Sequence, residues 1–250
     1  MVSPGVAQRQ GTRNTPSLAN VAYQPYLLRE GGVPTLEMQV LVPIQEHNEF
    51  DFNIVLVAER LNQDADYITM SLDAYGRMPD PFVITRSIAC FERSLLSGYS
   101  RYDQYMYYQK PEALTETEIR GMNLFFSHRT NCTQCHSGPN FTNYSFENNG
   151  LYEDYADPGR YRFTGKEEDR ALFKVPGLRN IEVTMPYMHD GSIQTLEEVI
   201  NHYNSGGHLH AHKSTFVKPL NLSDSERNDL IAFLSSLTDE TFIVNPLFTR

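Results

Sequence analysis

Cys132-Thr133-Gln134-Cys135-His136 is the stretch on which the reading of this 250-residue chain turns. Two thiols three positions apart with an imidazole directly after them form the spacing that attaches a c-type haem. Each sulfur bonds a vinyl group of the porphyrin, and the histidine is held under the ring as the proximal ligand. Only three cysteines occur, and two fall here. The third, Cys90, stands alone in an apolar segment. A zinc site would need a second Cys/Cys or Cys/His pair, and a redox dithiol would need a strand–helix context. The sequence offers neither.

Working outward, three capping boxes mark helix starts: Thr115 with Glu118, Thr195 with Glu198 and Ser223 with Glu226. They predict a helix to about Phe126, one through about Tyr203, and a last helix with Leu230, Ile231, Phe233, Leu234 and Leu237 on one face. Ile54, Ala58 and Leu61 make an upstream helical stripe, as do Ile84, Ile88, Phe91 and Leu95. The stretches 62–82 and 137–194 are rich in Gly, Pro, Asn and Asp and read as long loops. Strand patterns are scarce, and no internal repeat is visible. The expected fold is mostly α, with a boundary near Lys110-Pro111 dividing residues 1–110 from 111–250. Helix, haem motif, helix is the order of a cytochrome c-like domain. In it Gly121 would let two helices approach closely, with Phe233 as packing partner.

Composition is that of an ordinary globular protein, 40% hydrophobic and 21% charged. The net charge of −10 argues against nucleic acid and anionic membranes as partners. It suits a small basic redox protein. No apolar run reaches the length of a membrane span, and the first residues lack the apolar core of a signal peptide. Covalent haem attachment nevertheless implies export, so a periplasmic location is expected.

A longer signature follows the motif: Phe173-Lys-Val-Pro-Gly-Leu-Arg-Asn180, Thr184-Met-Pro-Tyr-Met-His189-Asp-Gly191 and Leu196-Glu-Glu-Val-Ile-Asn-His-Tyr203. Upstream stand Arg13-Asn-Thr-Pro-Ser-Leu18 and Thr35-Leu-Glu-Met-Gln39-Val-Leu-Val-Pro43, then Glu49. With the haem motif, these segments resemble the bacterial di-haem cytochrome c peroxidases and their relative that matures tryptophan tryptophylquinone (MauG). The resemblance implies two cytochrome c-like domains side by side. The N-terminal haem cleaves hydrogen peroxide, and the C-terminal haem takes electrons from a small donor, a cytochrome c or a copper protein. A first haem motif is expected before Arg13 and is not present, so residues 1–110 read as an incomplete peroxidatic domain. Residues 111–250 read as the electron-transfer domain.

Carried over position by position, the resemblance assigns the haem to Cys132, Cys135 and His136, and the sixth iron position to Tyr203, where the peroxidases usually have methionine. Leu196, Val199, Ile200 and Tyr203 share one helical face, with His202 rotated off it. Gln39, Pro43 and Glu49 match the distal wall of the peroxidatic haem, where a carboxylate moves the proton that O–O cleavage requires. Asn14, Thr184 and Pro186 match oxygen ligands of an inter-domain calcium ion. His189 matches a histidine near the C-terminal haem. Arg29 stands where the family has an inter-haem tryptophan, and this chain contains no Trp.

Two other clusters read as structure. His208, His210 and His212 fall in a Gly-rich loop, and Tyr99, Tyr102 and Tyr105 follow a helical face. The implied activity is reduction of hydrogen peroxide to water through the C-terminal haem. The alternatives are a MauG-like oxidase of a protein or small molecule, favoured by Tyr203, and a single-haem electron carrier. The sequence leaves the oligomeric state open. Lacking an iron with an open position, these 250 residues alone are not expected to turn over peroxide.

Overall fold

A computed structural model describes residues 4–248. The chain is mostly helical, as the sequence predicts. In order run α1 (Leu36–Gln39), α2 (Leu41–Gln45), α3 (Ile54–Leu61), α4 (Ala65–Tyr75), α5 (Pro81–Ser94) and α6 (Arg101–Tyr107). Then come α7 (Glu116–Phe125), α8 (Cys132–Cys135), α9 (Tyr161–Thr164), α10 (Leu196–Ser205), α11 (Asp224–Ser235) and α12 (Glu240–Ile243). One antiparallel ribbon joins β1 (Phe146–Glu147) to β2 (Phe173–Lys174). No described helix is long and apolar enough to cross a membrane.

The three capping boxes form as expected at the starts of α7, α10 and α11. Each hydroxyl accepts from the N3 amide, and each N3 carboxylate takes the cap amide in return. The main core lies where α7 crosses α11. Phe233 is fully buried there among Phe125, Phe141, Leu230 and Leu237. Gly121 makes the crossing possible: a Cβ on it would sit 1.9 Å from the Asp229 carbonyl oxygen and 2.9 Å from the Phe233 Cβ. Beside this contact Arg120 donates twice to the Asp229 carboxylate, at 3.0 and 2.8 Å. Tyr102 of α6 joins the same core, while Asp103 forms a buried two-pronged pair with Arg179 at 2.8 and 3.0 Å.

Several expectations need correction. The stretch 62–82 is not all loop, because α4 fills it. Asp64 caps its start by accepting from the Asp66 amide, and Gly76 ends it in the left-handed conformation at φ 66°. Its apolar residues Tyr67, Met70 and Leu72 are exposed, so it carries no inward stripe to read. In α5 the helix is right but its predicted face is only half right: Ile84 and, just past the helix end, Leu95 are buried. Ile84 is buried together with Val83, Thr85, Ala89 and Glu92, whereas Ile88 and Phe91 are exposed. Helix α11 is not the last, since the short α12 follows it. Of the three tyrosines read as a face, Tyr102 alone is buried.

The chain also contains an internal repeat that the sequence reading missed. Residues 13–40 and 173–200 superpose in pattern at a constant offset of 160 positions (20 to 180, 36 to 196). Pro16, Leu18, Asn20, Gly31, Thr35, Leu36 and Glu37 recur unchanged as Pro176, Leu178, Asn180, Gly191, Thr195, Leu196 and Glu197. Asn20 and Asn180 are both left-handed, at φ 56° and 59°, and each opens a 3-10 turn. Leu27–Val33 and Tyr187–Ile193 close equivalent bridges.

The two copies meet in a polar knot. Asn20 exchanges bonds with Ser97, its amide donating to the Ser97 carbonyl and its carbonyl accepting from the Ser97 amide, both at 2.8 Å. Asn180 donates to the Ser97 hydroxyl at 3.2 Å and accepts from the Asp239 amide at 2.8 Å. The Ser97 hydroxyl donates in turn to Asp239 at 3.2 Å.

Candidate haem-binding site

Cys132, Cys135 and His136 open onto a cavity of about 1440 Å³, a figure that includes solvent at its mouth. Small-molecule sites usually enclose about 300–1,000 Å³. Its wall is largely apolar, with Phe125, Leu178, Ile181, Leu196, Val199 and Ile200 among the lining residues. The motif turns into the short α8 after Asn131, which is left-handed at φ 57°. The His136 ring is fixed by its Nδ1, which donates to the Phe141 carbonyl at 2.9 Å. That bond selects the tautomer with the proton on Nδ1 and the lone pair on Nε2, the one a histidine ligand needs, and the Pro176 carbonyl also bonds the ring. Burial holds its pKa below the ordinary value, so the ring stays neutral.

The two thiols are free, and both are pushed up rather than down. Burial raises Cys132, and Cys135 is raised to about 11 by burial, then by the charges of Glu147 and Cys132. A redox dithiol depends on a lowered thiol pKa, so these raised thiols do not have the character of an exchange pair.

Tyr203 comes from α10, and Leu196, Val199 and Ile200 line the cavity with it. His202 is turned away and bonds the Asn149 carbonyl at 3.0 Å. The phenol of Tyr203 is pushed up to about 12 by burial, and its recorded hydrogen bond is a long one, 3.5 Å from the Asn149 amide. The same amide donates to the Met188 sulfur at 3.2 Å. Met188 and Asn149 also line the cavity; sequence reasoning assigned neither a role, although Met188 lies within the quoted Thr184–Gly191 signature, and Asn149 belongs to no recognisable motif. His189 lies on the wall as well, its ring stacked on Phe173 at 4.0 Å between centroids.

The other assigned residues fall elsewhere. Gln39 ends α1, Pro43 lies within α2, and Glu49 sits on the next turn, which is tied back by the Phe50 amide donating to the Pro43 carbonyl at 3.1 Å. Glu49 is exposed, and its carboxyl is raised by partial burial and then by Glu46. The Asn14 side-chain nitrogen donates to the Pro186 carbonyl at 2.5 Å, which places the two assigned residues side by side. The Thr184 hydroxyl, which is not the atom assigned to the ion, closes its own turn on the Ile181 carbonyl at 3.2 Å. His210 contacts Asn148 and His212 contacts the Arg170 carbonyl. Among the described residues no group of three or more His, Cys, Asp or Glu is placed to hold a metal ion.

Comparison with known proteins points one way. The family model for the di-haem cytochrome c peroxidases matches residues 1–111. The methylamine utilization protein MauG of Methylorubrum extorquens is 34% identical over 233 residues, which covers 91% of this chain and 65% of that protein. The cytochrome c551 peroxidase of Nitrosomonas europaea is 30% identical over 245 residues, covering 95% and 69%. The chain therefore spans about two thirds of these curated relatives. The crystal structure of a MauG-like protein associated with microbial copper homeostasis matches at a TM-score of 0.92 and 32% identity, covering 99% of this chain and 81% of that one.

Proposed function

Because this chain belongs to the di-haem cytochrome c peroxidase family, we propose that it is a haem-dependent oxidoreductase whose residues 111–250 carry electrons through a c-type haem. The observation that carries this reading is the convergence of Cys132, Cys135, His136 and Tyr203 on one apolar cavity, with Nδ1 of His136 held by the Phe141 carbonyl. When bound, haem supplies a redox-active iron. Cys132 and Cys135 would tether it, and His136 would ligate the iron. Tyr203, which lines the same cavity from α10, would be the second protein ligand, and the apolar wall would keep water out.

The repeat supports different roles for the two halves. At an offset of 160, Gln39 corresponds to Val199 and Pro43 to Tyr203. Where the second copy presents a phenol, the first presents a proline ring with no atom able to ligate. Gln39 and Glu49 stand with Pro43 on the N-terminal side, where Glu49 would serve as the base that peroxide cleavage requires. Two electrons from a small donor protein and two protons convert hydrogen peroxide to two waters. This is the peroxidase reading, and residues 1–110 are its catalytic side. An anionic ligand at Tyr203 favours the oxidase reading instead, because it stabilises ferric iron.

The test begins with acid–acetone extraction, which should leave the chromophore on the protein at one haem per chain. Zinc or extractable haem would end the proposal. In the loaded protein, Tyr203→Met should raise the reduction potential, since a neutral sulfur favours ferrous iron; an unchanged spectrum and potential would make Tyr203 a packing residue. Peroxide reduction by these 250 residues should stay far below that of a di-haem relative given the same donor. A matching rate would move catalysis to His136.

Asn14 and the Thr184–Pro186 turn form the proposed calcium site between the halves, supported by the Asn14–Pro186 contact. Chelation should lower the melting temperature and added calcium should restore it. Identical melting curves would remove the ion from the account.

A further inference from the structure

Lys174 is buried and Arg29 half-buried, and among the described residues neither is in an ion pair: Glu30 acts on Lys174 and Asp190 on Arg29 only from a distance. Lys174 is 7% exposed. Its ammonium donates to the side-chain carbonyl of Gln24 and, at 2.8 Å, to the Tyr26 carbonyl. The Arg29 guanidinium donates through Nε and Nη2 to the Asn14 carbonyl, at 3.1 and 2.9 Å. All these acceptors are neutral.

The nearby acids are already engaged. Glu30 and Asp157 are paired with Arg13, and Asp190 accepts from the Tyr152 hydroxyl at 2.6 Å. Glu147, the acid on the cavity wall, takes the Ser145 hydroxyl at 3.3 Å and acts on the Cys135 thiol. Burial accordingly pushes Lys174 down to about 8 and Arg29 down to about 10. Charges taken out of water with no acid in direct contact are costly, and a bound anion reduces that cost.

Their position identifies the anion. Both residues line the large cavity, and both also line a second space of about 560 Å³ beside Pro16, Asn20, Asn140 and Thr142. Cys132 packs instead on the α7–α11 core. Porphyrin carries its vinyl groups and its propionates on opposite edges, so thioether bonds to the cysteines turn the carboxylates toward the far wall. Lys218, the other lysine on the wall, is exposed.

We propose that Arg29 and Lys174 hold the propionate carboxylates of the haem attached at Cys132 and Cys135. This rests on the haem reading of the cavity. Reduction of ferric iron removes a positive charge, which nearby cations favour, so the pair also raises the reduction potential. Arg29 thus puts a fixed charge at the seam between the halves, where the family resemblance places an aromatic ring.

The experiment uses the haem-loaded protein and measures covalent haem first. Absence of haem overturns the site reading and this inference with it. With haem present, Lys174→Met and Arg29→Met should each lower the reduction potential and shift the propionate bending band in the resonance Raman spectrum. Lys174→Arg, which keeps the charge, should hold both near the parent values, and Lys218→Met should move neither. If Lys174→Met does not fold, Lys174→Gln and Arg29→Met carry the test. An unmoved potential and band would overturn the proposal. So would a lowered potential with an unmoved band, which would leave the charges acting only through space, or a band shifted by Lys218→Met alone.

Discussion

Thr35 and Thr195 occupy the same place in the two copies of the repeat, and each caps a helix by accepting from the amide three residues on. The second helix then runs unbroken to Ser205, whereas in the first copy α1 stops at Gln39 and a separate α2 carries Pro43. Two substitutions account for this. Glu198 completes the capping box where the first copy has Met38, and Pro43 cannot donate the amide that Tyr203 can. Around these helices the cores differ as well: eleven buried residues surround α7 and α11, against Val21, Leu27, Leu36 and Ala89 in the N-terminal half. The N-terminal half correspondingly shows Phe50 66% and Met70 55% exposed. A shared turn geometry thus fixes where a helix starts. Its length and what it buries are set by residues outside the repeat's constant positions.

The most disruptive way to break the contrast is at the helix crossing. Gly121→Val should cost upward of about 3 kcal/mol, because the added atoms meet backbone rather than a movable side chain. Gly98→Ala, where nothing lies within 4 Å, should stay within about 0.5 kcal/mol. Denaturant titration of both variants measures the difference, and equal losses would mean that α7 and α11 are not closely packed.

A smaller effect is expected at the contact between the halves, where Arg13 holds Asp157 at 2.6 and 2.8 Å. Burial raises the Asp157 carboxyl, but the Arg13 bonds and the Gly159 amide outweigh it, and the net shift is downward. A carboxylate lowered in the folded state adds stability that is complete above its unfolded value of about 3.9 and is lost as pH falls through the folded value. Thermal melts should therefore drop below about pH 4. Arg13→Leu should cost about 1.5–3 kcal/mol at neutral pH and flatten that acid limb; an unchanged limb would place the acid sensitivity elsewhere.

The mildest change sharpens the comparison instead of breaking it. Met38→Glu gives α1 the N3 carboxylate that α10 already has. It should stabilise the chain by about 0.5–1 kcal/mol, read as a rise in denaturant midpoint without a change in slope.

The features legible in the sequence are those that a few adjacent residues determine. The capping boxes at Thr115, Thr195 and Ser223 gave three helix starts, the Cys132–His136 spacing located the cavity, and Gly121 with Phe233 marked the crossing. Helix α4 escaped because its signals are terminal, Asp64 and Gly76, with no inward stripe between them. The face of α5 was half misjudged because Ala89 is small and Glu92 polar, yet both are buried, while the larger Ile88 and Phe91 face out. The repeat stayed hidden although seven residues recur. Its turns rest on backbone conformation, and left-handed Leu28 and Met188 carry no residue type that announces it. Met188, Asn149 and Lys174 reach the cavity only through tertiary folding, so nothing local assigns them that place.

The knot around Ser97 has a mechanical consequence. A single residue fastened to Asn20 on one copy, and to Asn180 and Asp239 on the other, is a fulcrum. Any rocking of one half against the other turns about it, and displacement grows with distance from that point. The Arg13–Asp157 clasp acts on the same motion as a brake with a lever arm. The pin and the clasp act together with the buried Asp103–Arg179 pair, so the halves are held at three separated points and share one rigid seam.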